Sequence, residues 1–123
     1  MAKKIGIDLG TTYSCVSYVD DMNVVRVIDN REGEQTTPSV VFFDPDGSAV
    51  VGSTAKSEGA MNPECIVERV KNFMGDPNYK CFVNGNEYSA AAVSTLILRK
   101  LVADAEEALG EEIEGAVITC PAY

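Results

Sequence analysis

Ile5-Gly6-Ile7-Asp8-Leu9-Gly10-Thr11-Thr12-Tyr13-Ser14-Cys15-Val16 decides how this chain is read. Ile5, Ile7 and Leu9 alternate with small or polar residues, the period of a half-buried strand. Gly10-Thr11-Thr12 turns the chain, and Tyr13 to Val19 is a second β-rich run. Asp8 therefore stands near a strand end, beside a turn made of one glycine and two small hydroxyl residues. Gly10 lets backbone approach a ligand closely. The hydroxyls and N–H groups of Thr11 and Thr12 are donors for phosphate oxygens. Asp8 offers a hard oxygen ligand to magnesium through water. The same residues also suit a plain hairpin turn in which Asp8 caps its own backbone. D-x-G-T-T is short, and the chain contains neither G-x-x-x-x-G-K-S/T nor G-x-G-x-x-G.

Outward from this segment, Val24 to Ile28 reads as a third strand, giving three antiparallel strands joined by tight turns. Asp29 to Thr37 is polar, contains Gly33 and reads as a loop ended by Pro38. Ser39 to Phe43 is a strand, Asp44-Pro45-Asp46-Gly47 a turn, and Ala49 to Val51 a short returning strand. Gly52 to Met61 is weakly helical. Asn62-Pro63 has the arrangement of a helix start, and Ile66, Val67, Val70, Phe73 and Met74 recur at helical spacing until Gly75 and Pro77. Asn84-Gly85-Asn86 between Lys80–Val83 and Glu87-Tyr88 predicts a hairpin. Ser89 caps a helix to about Leu109, with Val93, Leu96, Ile97, Leu101, Ala105 and Ala108 on one apolar stripe and Gly110 as its stop. Ala116 to Cys120 reads as a buried strand. This order is mixed α/β. A buried strand with no covering element after it is unusual for a natural domain, and a truncated domain is expected.

Composition narrows the function. The 123 residues are 46% hydrophobic and 24% charged, the values of an ordinary globular domain. A net charge of −9 repels nucleic-acid phosphates and anionic membranes, so neither partner is expected. A nucleotide triphosphate is also an anion, and a site for it must work locally through N–H groups, a lysine and a metal ion. The start is too soon charged for a signal peptide, and no apolar run approaches a membrane span. Cys15, Cys65, Cys81 and Cys120 are scattered without a C-x-x-C pair. They read as reduced thiols more readily than as a zinc site. Together these features point to the cytoplasm. The absence of histidine removes a Ser/His/Asp triad.

Three further groups bear on chemistry. Lys71, on the expected helix after Pro63, can reach into a cleft and neutralise charge on a phosphate. By composition alone, a solvated surface lysine is the commoner case. Glu106, Glu107, Glu111, Glu112 and Glu114 surround the end of the long helix and read as a solvated acidic face. Asp76, Asn78, Asn84 and Asn86 sit among Gly and Pro and have turn chemistry.

Four segments together resemble the DnaK-type heat-shock chaperone family. Ile5 to Val16 is similar to its first phosphate-binding hairpin. Gly33 with Thr36-Thr37-Pro38-Ser39-Val40-Val41 resembles its G-x-R-T-T-P-S segment. Asn62-Pro63-Glu64, with Lys71 and Gly75, resembles its N-P-x-x-T and K-R-L-I-G stretch, and Val117 to Tyr123 its V-I-T-V-P-A-Y. The order and spacing also match along the whole chain, whereas D-x-G-T-T alone is shared across the actin and sugar-kinase superfamily. Gln35 and Asn72 stand where the family usually has arginine, and Cys120 where it has an apolar β-branched residue.

The resemblance implies the first lobe of the ribonuclease-H-like actin/heat-shock ATPase fold. Residues 1–38 and 114–123 would form a base subdomain, and residues 39–113 an inserted upper subdomain. ATP or ADP with magnesium would sit between two lobes. Asp8 would lie near the magnesium and its waters, and Gly10, Thr11, Thr12 and Tyr13 would line the phosphates. Lys71 would be the catalytic lysine. Hydrolysis would switch an absent peptide-binding domain between fast and slow exchange of unfolded clients, assisted by J-domain co-chaperones and nucleotide exchange factors, as part of protein folding and the stress response. The isolated lobe is expected to be inactive. The alternatives within the superfamily are a sugar or acetate kinase and an actin-like filament protein.

Overall fold

Lys3–Leu9 (β1) and Tyr13–Val19 (β2) pair antiparallel, with Asp8 opposite Cys15 and Leu9 opposite Ser14. Val25–Ile28 (β3) continues the meander on the far side of β2, as the apolar alternation predicts. The computed structural model describes residues 3–68, 78 and 80–119. Thr37–Pro38 (β4) also pairs with β2, placing Pro38 opposite Tyr13 and Thr37 opposite Ser14. Ile113–Thr119 (β10) lies parallel to β1, with Thr119 level with Asp8. Successive strand residues face opposite sides of a sheet. Ile5, Ile7, Leu9, Val16 and Ile28 are accordingly buried on one face. Asp8, Cys15, Ser17 and Val117 occupy the other.

Val40–Phe43 (β5) is the centre of a second sheet, flanked by Ala49–Val51 (β6) and Ile66–Glu68 (β7). All four β5 residues are buried, which explains a continuous apolar run where a half-buried strand would alternate. Ser53–Met61 (α1) packs against β5 and buries Ala55 and Gly59. Cys81–Val83 (β8) and Asn86–Tyr88 (β9) form the expected hairpin. Its turn needs positive φ at both central residues, and Asn84 (53°) and Gly85 (81°) supply it. Asn84 Nδ2 also donates to the Phe43 carbonyl at 2.9 Å, and Tyr88 stacks on Phe43.

Ala90–Leu109 (α2) starts where Ser89 Oγ accepts from the Ala92 N–H at 3.1 Å. It ends at Gly110 in the left-handed region, φ 67°. Its buried stripe of Val93, Ile97, Leu101 and Ala105 lies against both sheets and joins them in one core.

Several expectations need correction. Pro63 begins only a 3-10 turn, Pro63–Cys65, and Ile66–Glu68 is a strand where a helix was expected. The pairing of Ile66 with Phe42 and of Val67 with Val41 overrides the local helical spacing. The continuation through Val70, Lys71, Phe73, Met74, Gly75 and Pro77 lies outside the described residues, as do Asn72, Asp76 and Cys120. The strand expected to be buried at Ala116–Cys120 begins at Ile113, and Ala116 to Thr119 are exposed, Val117 to 68%. Among the described residues it pairs with β1 alone. Thr37, expected at the end of the loop, instead pairs with β2 next to Pro38. Ala108 is exposed, and the buried stripe takes in Asp104 instead.

Candidate functional site

The sharp turn between β1 and β2 is where the candidate residues meet. Asp8 is exposed on the outer face at the end of β1, and its cross-strand partner Cys15 is half-buried. Gly10 is required by close approach: a Cβ there would stand 2.1 Å from the Tyr13 carbonyl oxygen. Thr11 is half-buried, and Thr12 and Tyr13 are exposed. Asp8, Gly10, Thr11, Thr12 and Tyr13 are thus brought together on one hairpin. Lys71 lies outside the described residues.

The T-T-P-S segment secures this hairpin from behind. The Ser39 N–H donates to the Thr12 carbonyl at 2.9 Å. Ser39 Oγ donates to the Gly10 carbonyl at 2.9 Å and lies 2.8 Å from Ser14 Oγ. Two of the resembling segments are therefore one structural unit. Sequence reasoning did not assign Ser14 or Ser39 a role. Their signal was a small hydroxyl residue next to apolar neighbours, Ser14 within β2 and Ser39 between β4 and β5.

Beyond the turn, Lys56 of α1 holds its Nζ 3.5 Å from the Tyr13 hydroxyl and 5.5 Å from the ring centroid. Tyr13, Glu34, Pro38, Ser53, Lys56 and Ser57 line a hollow of about 420 Å³ next to the hairpin. A larger hollow of about 640 Å³ between α2 and β6 contains none of the hairpin residues and is not the site of this chemistry. Burial first, and then the Asp8 carboxylate across the strand pair, push the Cys15 thiol above the usual range. Cys15 is accordingly a protonated neighbour of the turn.

Among the described residues no cluster of three or more His, Cys, Asp or Glu could cage a metal. One exposed carboxylate beside a turn with room for phosphate suits magnesium, which keeps several waters and takes few protein ligands. This donor set and the adjoining hollow lined by Tyr13 and Lys56 fit a magnesium–nucleotide. The acidic residues around the α2 terminus are not simply a solvated face. Glu106 Oε2 accepts from the Ile113 N–H at 3.0 Å, and Glu107 pairs with Arg31.

Among the described residues, the mixed sheet, the β1–β2 hairpin and helices α1 and α2 are those of the first lobe of the actin-like ATPase fold. The family model described as Hsp70 protein matches residues 4–80 and 75–123. The chain belongs to the Hsp70 family, whose proteins are ATP-binding chaperones with ATPase activity.

Proposed function

We propose that this chain forms one wall of a magnesium–ATP site whose hydrolysis cycle drives a chaperone. The observation that carries this reading is the Gly10–Tyr13 turn, held from behind by Ser39, with Asp8 at its mouth. Asp8 holds magnesium through water. Magnesium, when bound, neutralises phosphate charge. The turn of Gly10, Thr11, Thr12 and Tyr13 receives the phosphates through backbone N–H groups and hydroxyls. Lys71 stabilises negative charge on the transferring phosphoryl group and positions the attacking water.

Residues 1–38 and 114–123 form the base of the lobe and 39–113 its upper part, a division supported by the two sheets meeting on α2. The second wall of the cleft comes from a second lobe, so the chain alone binds nucleotide weakly and does not turn it over. Unfolded peptide clients, a J-domain co-chaperone and a nucleotide exchange factor are the partners that this cycle requires. The unpaired thiols Cys15 and Cys65 suit a reducing compartment such as the cytoplasm. Among the described residues no helix is long and apolar enough to cross a membrane.

Equilibrium dialysis against radiolabelled nucleotides tests this reading. Magnesium–ATP and magnesium–ADP should bind and AMP should not, because the hairpin receives the β- and γ-phosphate end. Asp8→Asn should weaken magnesium–ATP about tenfold and should not weaken metal-free ATP. Equal binding of AMP and ATP, or no effect of Asp8→Asn, would overturn the assignment. In the two-lobed protein, Lys71→Ala should lower the hydrolysis rate about 10²–10³-fold. A wild-type rate there would remove Lys71 from the mechanism.

A further inference from the structure

Ser14 is 1% exposed and Ser39 is 3% exposed. Two hydroxyls buried this deeply cost free energy unless both are satisfied. The Ser39 hydroxyl has one proton, and a carbonyl oxygen only accepts. That proton is committed to the Gly10 carbonyl, at 2.9 Å. Across the 2.8 Å contact between the serines, Ser14 must therefore donate and Ser39 accept. The relay runs from Ser14 to Ser39 to Gly10, each bond polarising the next. The Ser39 N–H holds the Thr12 carbonyl as well. One residue grips two carbonyls of the turn.

This grip fixes the donors on the other side. In a planar trans peptide the C=O and the following N–H point in opposite directions, and no cis bond occurs among the described residues. Holding the Gly10 carbonyl directs the Thr11 N–H away from Ser39. Holding the Thr12 carbonyl does the same for the Tyr13 N–H. Both N–H groups are thereby set on the side of the turn opposite Ser39.

We infer that Ser39, backed by Ser14, is a positioning residue for the phosphate hairpin. It orients the Thr11 and Tyr13 N–H groups through the carbonyls behind them and does not itself touch the ligand. The consequence for binding rests on the phosphate-site reading above, whereas the grip on the turn does not.

The test compares Ser39→Ala, Ser14→Ala and, as a control for general destabilisation, Val93→Ala in the buried stripe of α2. Three quantities are measured on the 123-residue chain: the Gly10 carbonyl carbon resonance, ligand-free amide exchange at residue 39, whose N–H bonds the Thr12 carbonyl, and magnesium–ATP affinity by amide titration. Ser39→Ala should shift the Gly10 carbonyl resonance, speed exchange of the residue 39 amide about tenfold and weaken magnesium–ATP about tenfold. Ser14→Ala should act in the same direction to a smaller extent. Val93→Ala should lower the melting temperature and leave all three quantities at wild-type values.

An unchanged turn in a folded Ser39→Ala protein would overturn the inference. So would a turn loosened equally by Val93→Ala. If Ser39→Ala does not fold, Ser14→Ala carries the decision by the same criteria. If the wild-type chain binds no magnesium–ATP, the phosphate reading fails, and the ligand-free quantities still decide whether Ser39 holds the turn.

Discussion

At Gly10 a single hydrogen atom separates a workable turn from a collision. The Tyr13 carbonyl oxygen lies 2.1 Å from where any side chain would begin, and the obstacle is backbone, which yields little. Gly10→Ala should therefore force the turn open, at a cost of about 1–3 kcal/mol. Magnesium–ATP affinity should fall with it. Thermal unfolding and a nucleotide titration check both, and an alanine variant with wild-type affinity would show that the tight turn is not needed for binding. Asp8 and Gly10 were legible in the sequence because a strand end, a carboxylate and a small-residue turn are all local features. Ser39 was not legible as a turn anchor, because its partners, Gly10 and Ser14, are 29 and 25 positions away. Only the pairing of β4 with β2 brings them together.

The β2–β3 hairpin shows how one side chain organises an element. Asp20 Oδ1 accepts from the Met22 and Val24 N–H groups at 2.9 and 3.0 Å, and its Oδ2 pairs with Arg26 at 2.6 Å. Arg26 first, and then the Val24 N–H, hold the Asp20 carboxyl below its usual range. A depressed pKa contributes stability that is present above the unfolded value, about 4, and lost as pH falls through the lower folded value. The Met22 and Val24 amide resonances should therefore keep their neutral-pH positions down to about pH 4 and move below it. Asp20→Asn should remove that transition, and its persistence would assign it to another carboxyl. The elements predicted well were those whose signals are local: the β1–β2–β3 meander, the Asn84-Gly85 turn, and α2 between Ser89 and Gly110. The failure at Ile66–Glu68 has the opposite cause. Its helical spacing is local, but its structure comes from pairing with β5, more than twenty residues earlier.

Across the molecule, α2 and the loop before the T-T-P-S segment are clamped by charge. Asp104 is 4% exposed, 2.6 Å from Lys100 and 3.6 Å from Arg31. Lys100 also reaches Glu32 at 3.0 Å, and Arg31 reaches Glu107. The sequence pattern marked this face of α2 as apolar and gave no sign that Arg31 and Glu32, some seventy residues earlier, would cover a carboxylate there. Removing one partner of a buried pair leaves charge uncompensated. Lys100 retains Glu32, so Asp104→Ala should cost about 2–3 kcal/mol, below the full penalty for an isolated buried charge. Denaturant unfolding checks this, and a loss within 0.5 kcal/mol would mean that the pair contributes only as an exposed one does (~0–1 kcal/mol).

The clamp also fixes the loop leading to Ser39, linking the core of the lobe to the turn that faces the phosphates. That the lobe receives the phosphate end of a nucleotide is tested most directly by titrating the isotopically labelled chain with magnesium–ATP and following every backbone amide. Shifts concentrated from Asp8 to Tyr13, with Lys71 joining them, are the expected result. Shifts centred on another surface, such as the hollow between α2 and β6, would contradict it.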